Sequence, residues 1–104
     1  MPPDRSEPSS ILDATLRVPQ QVVYRPFAAE TVALNLETGQ YHGLNPTGGR
    51  MLEVLDRAPT ARDAAAQLAE EFGVEQEEIE RDLVEFCADL LERRLIEISG
   101  LEPG

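Results

Sequence analysis

Residues 30–45, ETVALNLETGQYHGLN, constrain the fold of this chain most. Their first half alternates two kinds of residue, with Val32, Leu34 and Leu36 on one side and Thr31, Ala33 and Asn35 on the other. This two-residue period is typical of a half-buried strand. Glu37-Thr38-Gly39 interrupts it, and glycine can adopt the positive φ that closes a short hairpin. Residues 40–44 then form a second short run, so the segment predicts a β-hairpin.

The residues around this hairpin extend it in both directions. Asn45-Pro46 ends the second strand and favours a helix start, because proline suits the first helical turn and asparagine can cap it. Before the hairpin, residues 22–24 (VVY) are prone to form a strand, and Pro26 restricts that strand to an edge position or ends it. The sequence therefore predicts a three-stranded antiparallel sheet followed directly by a helix.

Two helical patterns follow the sheet. The first runs to about residue 57, before Pro59, and contains Gly48 and Gly49 in its first turns. Two glycines there indicate either a later helix start or a close approach of the backbone to another element. The second opens with Thr60 and Asp63, close to a capping box, and ends at Gly73. Their apolar positions are Met51, Leu52, Val54, Leu55, Ala61, Ala65, Leu68 and Phe72.

The third helical pattern is the longest and runs from about residue 76 to residue 94. Its apolar residues recur at steps of three and four: Ile79, Leu83, Phe86, Cys87, Leu90 and Leu91. Residues 95–98 alternate briefly and predict a short strand or a wing. The fold class that we predict is α+β, a winged helix-turn-helix-like domain with a three-stranded antiparallel sheet followed by three helices.

Length and composition set the domain organisation. The 104 residues suffice for one domain, which we expect at 16–98 between a disordered N-terminal tail, 1–15, and a C-terminal tail, 99–104. We expect a cytoplasmic protein without a membrane partner, because there is no long apolar run and no pattern typical of a signal peptide. The lone Cys87 agrees, since it can form no internal disulfide.

The charge of the chain argues against a nucleic-acid partner. Twenty acidic and nine basic residues give a net charge of −11, which repels a phosphate backbone. A DNA-binding winged helix is the alternative function, but it needs a basic recognition helix. Residues 75–94 contain eight acids and three arginines instead.

Residues for catalysis are almost absent. The single histidine, His42, lies on the hairpin with no second histidine or nearby cysteine, so it cannot build a zinc site by itself. Cys87 falls among apolar residues and is most simply a buried hydrophobe. Residues 47–50 (TGGR) lack the lysine of a phosphate-binding loop. We therefore expect no catalytic residue, metal site or cofactor, and a small enzyme is the least favoured function.

One group of carboxylates has a regular arrangement. Steps of four, three and four residues place these acids in a stripe on one side of the third helix: Glu78, Asp82, Glu85 and Asp89. Such a stripe is usually a solvated face. The functional interpretation is the acidic wall of a groove that attracts a basic or amide-rich peptide.

The order of these motifs resembles the PqqD-like family, named for pyrroloquinoline quinone biosynthesis protein D. The resemblance runs from about residue 22 to residue 98. Its most specific part is an apolar strand, then Glu37-Thr38-Gly39, Tyr41 and Leu44-Asn45-Pro46-Thr47-Gly48, and then an apolar helix. Members of this family often have glycine near the end of the third helix, where this chain has Arg94.

The resemblance implies a non-catalytic adaptor that recognises the precursors of ribosomally made, modified peptides (RiPPs). In such domains the leader region of the precursor adds as a strand to the third sheet strand, in the groove beside the third helix. The peptide-binding residues implied here are Gln40, Tyr41, His42, Gly43, Leu44, Asn45, Glu78, Asp82, Glu85, Phe86 and Asp89. The implied partners are a precursor leader peptide and a modifying enzyme. That enzyme is a radical S-adenosylmethionine enzyme or a lasso-peptide leader peptidase, and the pathway stays open.

Overall fold

A computed structural model describes residues 11–99 of the chain. Within them the elements follow in this order: β1 (Thr15–Arg17), β2 (Val22–Pro26), β3 (Thr31–Asn35), β4 (Tyr41–Leu44), α1 (Pro46–Arg57), α2 (Ala61–Phe72), α3 (Gln76–Glu92) and β5 (Glu97–Ser99). A three-stranded antiparallel sheet thus precedes three helices. This confirms the α+β class, and the arrangement is consistent with a winged helix.

The hairpin at the centre of the sheet is present where the sequence predicts it. Strand β3 pairs with β2 on one side and with β4 on the other. Gly39 has φ 75° in the connection between β3 and β4. The Asn35 side chain closes the turn, since its Oδ1 accepts hydrogen bonds from the backbone N–H of Glu37 at 2.9 Å and Thr38 at 3.2 Å.

The buried face of β3 is the one with small and polar side chains. Thr31, Ala33 and Asn35 are 5%, 0% and 7% exposed, whereas Leu36 is 58% exposed. Helix α1 packs on this face, and Gly49 lies so close to Thr31 that a Cβ at position 49 would overlap the Thr31 side chain. The apolar face of the hairpin is therefore left towards solvent.

The helix ends have the caps that the sequence predicts. Asn45 Oδ1 accepts a hydrogen bond from the Gly48 N–H at 2.7 Å, and Thr60 Oγ1 accepts one from the Asp63 N–H at 3.1 Å. Gly73 adopts a left-handed conformation, with φ 69°. Of the two explanations for the glycines of α1, the close approach is confirmed, because α1 begins at Pro46 without delay.

One carboxylate ties the sheet to α1. Asp56 accepts hydrogen bonds from the Val18 N–H at 2.8 Å and from the Tyr24 hydroxyl at 3.2 Å. Burial, followed by the neighbouring Asp56 charge, raises the pKa of Tyr24 to about 12. The phenol therefore stays protonated and keeps donating to Asp56 throughout the neutral range.

The strands β1 and β5 form a second sheet that the sequence did not predict as a pair. Thr15 pairs with Ser99, and Leu16, which is 1% exposed, pairs with Ile98. Residues 11–15 and 99, which we assigned to tails, thus take part in the fold, and Leu12 is 6% exposed. Residues 1–10 and 100–104 of those tails lie outside the described part of the chain.

The helices supply most of the core. Its fully buried large side chains come from all three helices and from both ends of the described chain: Leu16, Leu52, Leu55, Leu68, Leu83, Cys87, Leu90 and Leu95. Phe72 is an exception among the predicted apolar positions, at 37% exposed. None of the helices in the described range is both long and apolar enough to cross a membrane.

Arg94, two residues after the end of α3, has an unfavourable backbone conformation. The helix ends at Glu92, two residues before the predicted end, because Arg94 adopts φ 60°. A side chain with a Cβ costs roughly 1–2 kcal/mol in this left-handed region, which glycine occupies freely. Position 94 therefore has the conformation that a glycine would favour.

We expect Arg94→Gly to raise the free energy of unfolding by about 1 kcal/mol, since it removes this Cβ penalty. Urea denaturation of the variant and the parent chain measures the change. Arg93→Gly is the matched control, because Arg93 has φ −81° and gains nothing from glycine. Equal effects of the two substitutions would contradict the strain at position 94.

Candidate functional site

The outer edge of β4 is unpaired within residues 11–99, where β4 pairs with β3 alone. The Asn35 N–H donates to the Gln40 carbonyl at 2.9 Å, and hydrogen-bonded pairs alternate along an antiparallel ladder. His42 and Leu44, opposite Ala33 and Thr31, therefore turn their backbone groups towards β3.

Tyr41 and Gly43 consequently turn their N–H and C=O groups away from the sheet. These groups are a template for one more strand. The same alternation predicts the effect of a substitution at position 42. Proline there would remove an N–H that pairs with β3, so His42→Pro would damage the hairpin before it affected a fourth strand.

A groove of about 330 Å³ lies between the end of β4, the start of α1 and one side of α3. Its lining residues are Gly43, Leu44, Asn45, Thr47, Gly48, Met51, Asp82, Phe86, Asp89 and Arg93. The apolar part consists of Leu44, Met51 and Phe86. Gly48 lets α1 approach α3 here, because a Cβ at position 48 would lie 3.3 Å from the Phe86 ring.

The family of the chain follows from a family-model comparison. The model of Coenzyme PQQ synthesis protein D (PqqD) matches residues 30–96, which include the hairpin and all three helices. The chain belongs to the PqqD family. This confirms the resemblance in the sequence. No curated protein matches the chain.

Two solved structures are similar to this chain over most of its length. TbiB1 in complex with the TbiA(beta) leader peptide is 28% identical, with a TM-score of 0.69 over 84% of this chain and 99% of that one. Lasso peptide synthetase B1, complexed with the leader peptide, is 25% identical, with a TM-score of 0.71 over 81% of this chain and 99% of that one.

A third structure shares the fold of this PqqD-family chain. It is the solution structure of the PqqD truncation of Methylobacterium extorquens PqqCD, described as a functional and stand-alone RiPP recognition element. The two chains are 24% identical, with a TM-score of 0.67 over 79% of this chain and 87% of that one.

The residues that the sequence suggested for peptide binding divide into three groups in this PqqD-family structure. Six line the groove: Gly43, Leu44, Asn45, Asp82, Phe86 and Asp89. Three precede the groove: Gln40 lies just before β4, and Tyr41 and His42 are its first two residues. Glu78 and Glu85 are not among the groove residues.

Glu85 lies on a neighbouring face of α3. There it lines a second groove, of about 600 Å³, together with Leu12, Glu77, Glu80, Arg81 and Val84. The acidic stripe is therefore divided between two surfaces. Asp82 and Asp89 lie towards β4, and Glu85 lies towards the N-terminal end of the described chain.

Four groove residues escaped the sequence interpretation: Thr47, Gly48, Met51 and Arg93. The pair of glycines was a usable signal, because a close contact at Gly48 identifies the side of α1 that faces another element. The sequence did not identify that element as Phe86. Met51 was assigned to the core, and it is indeed 6% exposed, yet it also lines the groove.

The groove contains two acids and one base, and they are not equivalent. Arg93 Nε pairs with Asp89 at 3.2 Å, so the charge of Asp89 is largely compensated. Among residues 11–99, Asp82 has no ion-pair partner within 4.0 Å. Asp82 is therefore the carboxylate that a cationic ligand side chain can neutralise.

Cys87 and His42 are the two residues with potential for chemistry. Burial raises the pKa of the Cys87 thiol to about 12, so this fully buried cysteine is a poor nucleophile. His42 is half-buried on β4. The described residues contain no group of three or more histidine, cysteine or acidic side chains suited to hold a metal ion.

Proposed function

We propose that this chain is a non-catalytic adaptor that binds the leader region of a precursor peptide by strand addition and presents it to a modifying enzyme. The observation that carries the proposal is the β4 edge, unpaired within residues 11–99, beside a groove with an apolar floor. Two structures of the same fold, at 25% and 28% identity, contain leader peptides.

The edge and the groove supply different parts of the recognition. The N–H and C=O groups of Tyr41 and Gly43 pair with the leader backbone, whatever its sequence. Every second leader side chain then turns inwards, and the one opposite Leu44 enters the groove against Met51 and Phe86. The backbone thus contributes affinity, and the groove contributes specificity.

The charge of the groove favours a basic leader. The whole chain has a net charge of −11, which attracts cationic peptides over a distance. Within the groove, Asp82 is the carboxylate without an ion-pair partner in the described range. A leader lysine or arginine next to the inward side chain would pair with it.

We expect Asp82→Lys to weaken binding of a basic leader by about tenfold at low salt, which corresponds to about 1.4 kcal/mol. Glu85→Lys is the matched control, since it reverses the same charge one turn along α3, where Glu85 lines the second groove. Fluorescence anisotropy at two salt concentrations measures both. Equal losses would mean that overall charge, and not the groove, attracts the leader.

The direct test of the function is a titration followed by amide resonances. The precursor is sought as a short open reading frame beside the gene, and the synthetic leader region of that precursor is added to isotope-labelled protein. We expect shifts concentrated at residues 40–45 and on the groove side of α3. Absent shifts, or shifts concentrated on β1 and β5, would refute leader binding at this edge.

The proposed function also requires an enzyme partner. An adaptor without catalytic residues acts by holding a substrate next to an active site, which raises the effective concentration of the substrate there. We propose a lasso-peptide leader peptidase or a radical S-adenosylmethionine enzyme as that partner. A pull-down of each candidate encoded nearby, with and without the leader, distinguishes them.

A further inference from the structure

The outer face of the three-stranded sheet has a row of apolar side chains that the groove does not use. Val23 pairs with Leu34, and Leu34 pairs with Tyr41, so the three residues cross the sheet side by side. Val23 is 47% exposed, Tyr41 is 72% exposed and Leu34 is half-buried. We call these three residues the outer row.

The outer row is solvent-facing because α1 packs on the other face of the sheet, through Gly49 and Thr31. Leu36, which directly follows β3, is also exposed, at 58%. Aromatic and aliphatic residues of this size are usually covered in a sheet. The outer row therefore has the composition of a contact surface.

The row ends at the edge of β4, with Tyr41 as its last member. The backbone groups of Tyr41 point out of the sheet. A strand added at this edge must consequently set one of its residues directly opposite Tyr41. That residue turns its side chain to the outer face, because opposite residues in a sheet share a face.

The register also fixes how far this residue is from the one in the groove. A leader residue opposite Leu44 turns inwards, and the residue three positions away is opposite Tyr41. Residues three apart in a strand lie on opposite faces. If the sheet contacted only inward side chains of the leader, the recognised residues would be two or four positions apart. A spacing of three therefore indicates that one residue is recognised on each face.

We infer that the leader is recognised on both faces of the extended sheet, and that Tyr41 is a specificity-determining residue for the outer face. This inference rests on the proposed function. It assigns to the leader an aromatic or β-branched residue opposite Tyr41, three positions from the apolar residue in the groove. That outward residue continues the outer row by one member. Cross-strand pairs of this type change affinity by up to about fivefold.

A random dodecapeptide display library tests the inference without knowledge of the natural leader. The library is selected against the parent chain, Tyr41→Thr and Tyr41→Phe. Threonine keeps the strand propensity but removes the ring, and phenylalanine retains the ring. For the parent chain we expect enriched peptides with two apolar positions three apart. Peptides selected by Tyr41→Phe should have both apolar positions. Peptides selected by Tyr41→Thr should have only the apolar position that enters the groove.

Affinities of one selected peptide complete the test. Replacing its outward residue with serine should weaken binding to the parent chain by about fivefold and to Tyr41→Thr by much less. If the parent chain enriches peptides with no preference three positions from the inward residue, or if Tyr41→Thr keeps that preference, recognition on both faces is refuted and leader binding stands. If the parent chain enriches no peptide, the proposed function itself fails.

Discussion

Replacing Gly43 with proline will reduce leader affinity at least about fivefold and leave the domain folded. The N–H of Gly43 points out of the sheet and is not used by β3. Proline removes this donor and puts its ring where the leader backbone approaches. A partner carbonyl left without a donor costs about 1–3 kcal/mol, which corresponds to roughly a 5- to 150-fold loss.

The matched control for this substitution is Gly43→Ala, which keeps the N–H. A Cβ at position 43 would lie 3.0 Å from a Glu30 carboxylate oxygen, and that oxygen is at the end of a flexible side chain that can move away. We expect near-parental affinity for alanine and near-parental thermal unfolding for both variants. Similar affinities of the proline and alanine variants would show that the leader does not pair with this edge.

The local signals in the sequence predicted most of the fold because each acts over a few residues. Asn45-Pro46 gave the start of α1, Thr60 and Asp63 gave the start of α2, and Gly73 gave its end. Caps and turns depend on hydrogen bonds between residues two to four apart. Such bonds can be inferred from spacing alone.

The pairing of β1 with β5 was missed because nothing local specifies it. Each strand has three residues, and Thr15 pairs with Ser99 from the other end of the chain. No turn connects them, and the brief alternation of residues 95–98 indicates a short strand without identifying its partner. The pair forms because the helices bring both ends of the domain together, and this is information about tertiary structure.

The sequence predicted an acidic stripe along α3, but it did not predict which residues of the stripe line the groove. Asp82 and Glu85 are three positions apart, so they differ by about 60° around α3. That small angle separates two different grooves. Periodicity identifies a stripe, but the packing of α1 against α3 at Gly48 and Phe86 decides which half of the stripe faces β4.

The same limit applies to β3, where the face with the larger apolar side chains is the exposed one. Hydrophobicity alone would bury Val32 and Leu34. Gly49 of α1 approaches β3 closely at Thr31, which is too near for a larger side chain there, and the small Ala33 on the same face is fully buried. Apolar surface is therefore left on the outer face, where the side chains of an added strand can contact it. The close packing of α1 on one face thus makes the other face available for recognition.

Replacing Gly49 with alanine will lower the free energy of unfolding by about 1–3 kcal/mol. A Cβ at position 49 would overlap the Thr31 hydroxyl and lie 2.6 Å from the Thr31 Cβ. Thr31 is 5% exposed on the central strand, so it cannot rotate away. Helix α1 or β3 must shift. A domain of this size loses roughly 4–8 °C in Tm for each 1 kcal/mol, which calorimetry detects easily.

Intrinsic helix propensity alone predicts the opposite effect of Gly49→Ala on stability, so the two explanations can be distinguished. In a helix without tertiary contacts, glycine to alanine would stabilise by about 1 kcal/mol. Removal of the obstacle should therefore reverse the effect. In a Thr31→Gly background the Gly49→Ala change should cost little or should stabilise, although Thr31→Gly is itself destabilising. An equal loss in both backgrounds would mean that contact between α1 and β3 does not explain the glycine.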